Sequence, residues 1–114
     1  MNNTTSDMKN EVKLSPDVMS SITEIAIQEI EGVNLPKFFS TKKIFKNHSI
    51  ETILKNNTVE LTIPLIVDYG IIIPEITPIV QEKVKENIEI MTGVIVNKVH
   101  LLIVGVNSNN NTTL

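Results

Sequence analysis

IPLIVDYGIIIPEITPIVQEKVKENIEIMTG, residues Ile63–Gly93, decides the fold: a strand, a glycine turn, a proline-opened helix and a glycine stop. The strand begins upstream, at Thr58, and runs to Tyr69. Val59, Leu61, Ile63, Leu65, Val67 and Tyr69 point one way, and Thr58, Glu60, Thr62, Pro64, Ile66 and Asp68 the other. Such strict alternation predicts one face on a core and one largely wet face. Pro64 has no N–H for a ladder, so the strand is expected to be an edge or locally bulged there. Gly70 breaks the strand. After Pro74, the residues Ile76, Val80, Val84, Ile88 and Met91 recur at helical spacing. Glu82, Lys83, Lys85, Glu86 and Glu89 form the wet face, with Glu82 and Glu86 like-charged and Lys85 and Glu89 opposite. Pro78 leaves two possibilities: Thr77 caps a helix that starts at Pro78, or a first turn from Pro74 is separate and kinked. Gly93 is the left-handed stop.

Working outward, Asn56-Asn57 is a turn, because asparagine tolerates the left-handed backbone of tight hairpins, and Ile50–Lys55 is the strand before it. Downstream, Val94–Val106 reads as a strand with Ile95, Val99, Leu101 and Ile103 on one face. Val94, Val96, Leu102 and Val104 share the other with Lys98 and His100. Two partly apolar faces suit an interior strand or a surface covered by a partner.

Toward the beginning, Glu11–Leu14 alternates as a short strand. Ser15 is placed to cap a helix, Pro16 suits its first position, Asp17 faces the positive end of the dipole, and Leu14 with Met19 makes a staple. Val18, Ile22, Ile25, Ala26 and Ile30 form the buried stripe, Ile27 lies beside it as extra core or a contact with another chain, and Gly32 is the left-handed cap. Asn34–His48 has no clear period. It interleaves Lys37, Lys42, Lys43 and Lys46 with Phe38, Phe39 and Phe45 and contains no acid. Lysines among aromatics make a stacking surface for single-stranded nucleic acid. The preferred alternative is a loop anchored by its phenylalanines with its lysines in water.

The chain has 114 residues, the length of one domain. We expect that domain at 11–106, with residues 1–10 and 107–114 as disordered tails. Thirteen acids against ten bases give no electrostatic drive toward nucleic acid or an anionic membrane. All the bases are lysines, so no guanidinium fork is present for phosphate. The absence of cysteine excludes disulfides, thiolate nucleophiles and cysteine–zinc sites. No basic segment leads into an apolar one at the start, and no apolar run approaches the roughly 20 residues of a membrane span. A soluble cytoplasmic domain without direct membrane insertion is expected.

Chemistry-bearing groups are sparse. His48 and His100 stand at no metal-ligand spacing with carboxylates, so no metal is expected. Asp68, Tyr69 and Glu75 fall near one turn, where acids beside prolines act more often as dipole partners than as acid/base groups. The four glycines are isolated, which rules out phosphate-cradling loops, and no nucleophile elbow occurs. Neither catalytic nor cofactor-binding residues are assigned.

The order β-α-β-β-α-β, with a short first strand, predicts an α+β two-layer sandwich. Two amphipathic helices cover one face of a three- or four-stranded mixed sheet. The second helix is a right-handed crossover if the long and last strands are parallel neighbours, and a ferredoxin-like order is the competing topology. Ser15, Pro16, Gly32, Gly70, Pro74 and Gly93 are its caps and turns.

Several pieces, in order, resemble the alkaline shock protein family of Gram-positive bacteria, the envelope stress response proteins. They are Val12–Val18, Glu29–Val33, Asp68-Tyr69-Gly70, Ile73–Ile76, Val80–Val84, Met91-Thr92-Gly93 and Val99–Val106. The resemblance covers Glu11–Val106 apart from the Lys/Phe-rich loop. It implies a small cytoplasmic, non-enzymatic stress-response domain, held at the membrane in some members by a separate transmembrane partner and linked in others to lipid synthesis. Pro78 and the Lys/Phe-rich loop depart from the family pattern.

A scaffold or interaction protein that self-assembles or binds a protein partner is therefore expected, with nucleic-acid binding or a regulatory link to lipid synthesis as alternatives. Its candidate partner surface is Lys37, Phe38, Phe39, Lys42, Lys43, Phe45 and Lys46 of the loop together with Ile66, Val96, Leu102 and Val104 of the sheet. A homo-oligomer is expected, since two helices cover only one sheet face and monomers rarely expose large apolar patches.

Overall fold

The computed structural model describes residues 14–36 and 50–108. Helix α1 is Pro16–Gln28, strand β1 Val33–Asn34, strand β2 Glu51–Lys55, strand β3 Thr58–Asp68, helix α2 Ile73–Thr92 and strand β4 Ile95–Asn107. The class is the expected α+β two-layer sandwich, and the sheet is mixed and four-stranded. Its fourth strand is the short β1 after α1. Of the expected first strand Glu11–Leu14, only Leu14 lies among the described residues, and it is outside any strand.

β3 is the central strand. β4 pairs with it in parallel along its whole length, so α2 is the crossover and the ferredoxin-like order is not formed. On the other side β1 pairs antiparallel with Val67 and Ile66, and β2 with Thr62 back to Thr58. β1 and β2 thus run in one direction along the same edge of β3, and the pairing skips Ile63, Pro64 and Leu65. A central strand tolerates Pro64 because that edge makes no ladder beside it and the β4 ladder slips just beyond it, at Leu65/Ile66. Asn56 and Asn57 both have positive φ, as a tight hairpin turn requires.

The core is aliphatic. Val59, Leu61, Ile63, Leu65 and Val67 of β3 meet Val80, Val84 and Ile88 of α2 and Met19, Ile22, Ala26 and Ile27 of α1, all buried. Each of these side chains except Ala26 contributes about 1.5–3 kcal/mol. The α1 stripe is rotated from the expected one. Met19, Ile22, Thr23, Ala26 and Ile27 face inward, while Val18 and Ile25 are exposed. Ile27 is core rather than a contact with another chain. Polar Thr23 disguised the true face, and its hydroxyl is buried without a hydrogen-bond partner.

Helix ends also differ in detail. Ser15 sits at the N-cap with an extended backbone but makes no side-chain cap bond; Pro16 follows as expected. α1 closes at Glu29 in right-handed conformation, so Gly32 is not its cap. Its positive φ serves the turn beyond, where Asp68 N–H donates to the Gly32 carbonyl at 2.9 Å. Gly93 is the left-handed cap of α2, with its N–H on the Glu89 carbonyl. α2 runs unbroken through Pro78, and Pro74 lies in its first turn. Thr77 turns its hydroxyl back onto the Ile73 carbonyl at 2.8 Å instead of capping a later start.

β4 required the largest change. Two register shifts, between Val59/Glu60 and between Leu65/Ile66, insert Asn97 and Val104 as extra residues on β4. Each bulge reverses the alternation. Val96 therefore joins Val99, Leu101 and Ile103 on the helix side, 3% exposed, and is core rather than partner surface. Ile95, opposite Thr58, belongs to the other face.

Candidate interaction surface

The side of the sheet away from the helices divides into two halves. Near the start of β4 polar groups stand among exposed Ile53 and Ile95: Asn97 Nδ2 donates to Glu60 Oε2 at 3.4 Å, and His100 Nε2 lies 3.9 Å from Glu60 Oε1. Toward the end it is apolar. Leu102 is 52% exposed, Val104 is exposed, Ile66 is half-buried, and Pro64 is buried between them. Gly105 lies beside Ile66: a Cβ there would meet Ile66 Cγ1 at 3.6 Å, an ordinary van der Waals contact. Of the four sheet positions expected to form a partner surface, Ile66, Leu102 and Val104 come together. The seven loop positions, Lys37 to Lys46, lie outside the described residues.

The outer edge of β4 is treated unequally along its length. Glu89 Oε2 accepts the Val96 N–H at 2.8 Å, and Gln81 Nε2 donates to the Val99 carbonyl at 2.9 Å. Two side chains of α2 thus satisfy the outward peptide groups on either side of the Asn97 bulge. The same Glu89 oxygen receives Lys85 Nζ at 2.8 Å, and these two donors, Lys85 first, hold its carboxyl below the ordinary glutamate range. From Leu101 onward no such cover exists among the described residues, and β4 pairs with β3 alone. A bare strand edge is a template for further pairing.

A second surface lies on the helix side, in a groove between α1 and α2. It is lined by Glu29, Ile30 and Glu31 of the turn that follows α1 and by Pro78, Ile79, Glu82, Lys83 and Glu86 of α2. Lys83 Nζ is bound to Glu29 Oε1 at 2.9 Å. Ile79 is 54% exposed and Ile25, on the outer face of α1, 52%. Sequence alone showed the Glu82–Glu86 pair, but not that the end of α1 brings Glu29 and Glu31 beside it, which only the packing of the helices determines.

The carboxylate and phenol positions near the β3–α2 turn do not converge on an enclosed site. Tyr69 is 75% exposed because β3 ends one residue before it and Gly70 turns the chain at φ +99°. Glu75 is exposed in the first turn of α2. No group of three or more metal-ligating side chains occurs among the described residues, and none of their helices is long and apolar enough to cross a membrane.

The chain is similar to the uncharacterized protein YqhY of Bacillus subtilis (strain 168), 26% identical over 102 residues, which cover 83% of this chain and 76% of that protein. No solved structure gives a significant match. The family model for alkaline shock protein 23, described by a cell envelope-related function, matches residues 4–108. Since that match takes in all six described elements, the chain belongs to the alkaline shock protein 23 family.

Proposed function

We propose that this family member is a non-enzymatic scaffold or interaction protein of the cell envelope and its stress response, acting through self-assembly or through a protein partner. The observation that carries it is the exposed end of the sheet. Leu102 and Val104 stand open beside Ile66 on an outer strand whose edge, among the described residues, is bare from Leu101 onward. Aliphatic side chains beside unpaired peptide groups suit a protein surface, which supplies both apolar contact and strand pairing. Membrane association belongs to this reading through a membrane-anchored partner. The exposure of Tyr69 and Glu75 favours a binding role over acid/base catalysis.

Affinity capture from the native cell tests the proposal when wild type is compared with Leu102→Glu/Val104→Glu. Both positions are exposed, so the fold should tolerate the change to within about 0.5 kcal/mol. The proposal expects co-captured protein, either a second copy or a membrane-anchored partner, to disappear in the variant. An identical captured set from both proteins would refute the assigned surface.

A further inference from the structure

We propose that β4 pairs with β4 of a second copy of this chain, antiparallel and in one register, about a twofold axis at Leu102. The inference rests on the scaffold reading above and names its partner and its contact. The register comes from the peptide groups along the outer edge. Val96 N–H and the Val99 carbonyl point away from β3, the first to Glu89 and the second to Gln81. Peptide groups alternate along a strand, so Leu101 and Ile103 turn theirs outward as Val99 does, while His100 and Leu102 turn theirs to β3. The Val104 bulge changes the phase. Beyond it the Asn107 carbonyl accepts the Tyr69 N–H on the β3 side, and Gly105, two residues earlier, turns inward with it. Between the Val99 carbonyl held by Gln81 and the bulge, Leu101 and Ile103 offer outward groups that α2 does not cover.

Two copies of that pattern match each other when Leu102 faces Leu102. Leu101 of each copy then faces Ile103 of the other, and the two pairs exchange about four N–H···O bonds. One step further out, Val99, whose carbonyl Gln81 already holds, faces Gly105, whose peptide groups are turned inward. The ladder therefore ends at the same place on both sides, as a twofold interface requires. Side chains agree with this register. Leu102, 52% exposed, forms the close pair on the axis, with His100 beside Val104 on the same face. Leu101 and Ile103 meet on the helix side, where both are half-buried against the core. His100–Val104 contains no proline, lysine or carboxylate, so the pairing sets no such like charges against each other. Charge favours the antiparallel sense. Lys98 meets no carboxylate at ion-pair distance among the described residues, and the pairing carries it toward the Asp68–Asn107 end of the other copy. This self-match of peptide groups, side chains and charge selects a second copy over an unrelated strand.

The chain has no cysteine, so single substitutions report the register directly. Full-length Leu102→Cys, His100→Cys and Ile90→Cys are incubated in an oxidising glutathione buffer and resolved without reductant. Ile90, 80% exposed on α2, measures random collision. Across the axis the two Leu102 Cα atoms should lie about 4.5–5.5 Å apart, within disulfide reach. The two His100 are four residues out of step, about 13 Å along the strands. Leu102→Cys should therefore form the disulfide dimer at least about tenfold faster than either of the others. Sedimentation velocity of wild type should show a species that stops at two copies as concentration rises, because pairing occupies the β4 edge. Leu102→Glu, which sets like charges on the axis, should be monomeric at the same concentrations, with circular dichroism showing that it is folded. Leu102→Cys linking no faster than Ile90→Cys overturns the proposal, and so does His100→Cys linking as fast as Leu102→Cys. A monomeric wild type at every concentration also overturns it. If Leu102→Glu/Val104→Glu then still loses a captured protein in the native cell, the scaffold reading stands with a partner other than a second copy.

Discussion

Replacing Gly32 by alanine isolates a contact on which the junction between β1 and the β3–α2 turn depends. Gly32 has φ +93°, where an L-residue is strained, and a Cβ there would lie 2.5 Å from Ile71 Cδ1 and 3.0 Å from its Cγ1. Gly70 is a matched control: its φ is +99°, and nothing lies within 4 Å of its Cβ position. Gly70→Ala should therefore cost the backbone term alone, about 1–2 kcal/mol. Gly32→Ala carries a similar backbone term plus an overpacking term of about 1–3 kcal/mol, since Ile71 is packed against the core and must shift. Urea unfolding, followed by circular dichroism at one low protein concentration, gives the midpoints and slopes. In a double-mutant cycle Ile71→Ala should remove the overpacking term, so the pair costs less than the sum of the single changes by about 1 kcal/mol or more. Equal losses for Gly32→Ala and Gly70→Ala, or additivity with Ile71→Ala, would refute the contact.

Other expectations follow from the helices. Thr23→Val, which removes a buried hydroxyl without a partner, should raise stability by about 1 kcal/mol in the same urea assay. Pro78→Ala supplies the N–H missing inside α2 and should stabilise by about 1 kcal/mol net of the looser unfolded chain, visible as a higher midpoint with an unchanged slope. Glu89 has its folded pKa below the ordinary 4.5, so its contribution is complete above that value and is lost as pH falls through the folded pKa. The difference in urea midpoint between wild type and Glu89→Gln should accordingly be largest near neutral pH and close in acid; a gap that widens in acid would contradict the assigned hydrogen bonds.

Much of the fold was legible because β3 and α2 each keep one period. In β3 the alternation from Val59 to Val67 predicted every buried position of that face, and in α2 Val80, Val84 and Ile88 did the same. The last member of each expected series, Tyr69 and Met91, is exposed, because each stands where its element ends. The hairpin was legible from Asn56-Asn57, since few other pairs take positive φ so readily. β4 was not, because bulges leave no mark in the hydrophobic pattern: Val96 looked outward by simple alternation until Asn97 reversed it. In α1, apolar residues at 18, 19, 22, 25, 26 and 27 offered two overlapping stripes, and the true one contains a threonine. Of the four sheet positions expected to form a partner surface, Ile66, Leu102 and Val104 lie away from the helices and Val96 does not, while the acid-rich groove arises only from the meeting of α2 with the turn after α1, distant in sequence.

The central claim, that the open end of the sheet engages another protein, is tested most directly by photocrosslinking in the native cell from a photoreactive side chain at Leu102. The control position is Asn56, an exposed residue at the tip of the β2–β3 hairpin. The account predicts a protein adduct from Leu102, containing either a second copy or a partner, and little from Asn56. Yields from Leu102 no higher than those from Asn56 would contradict it.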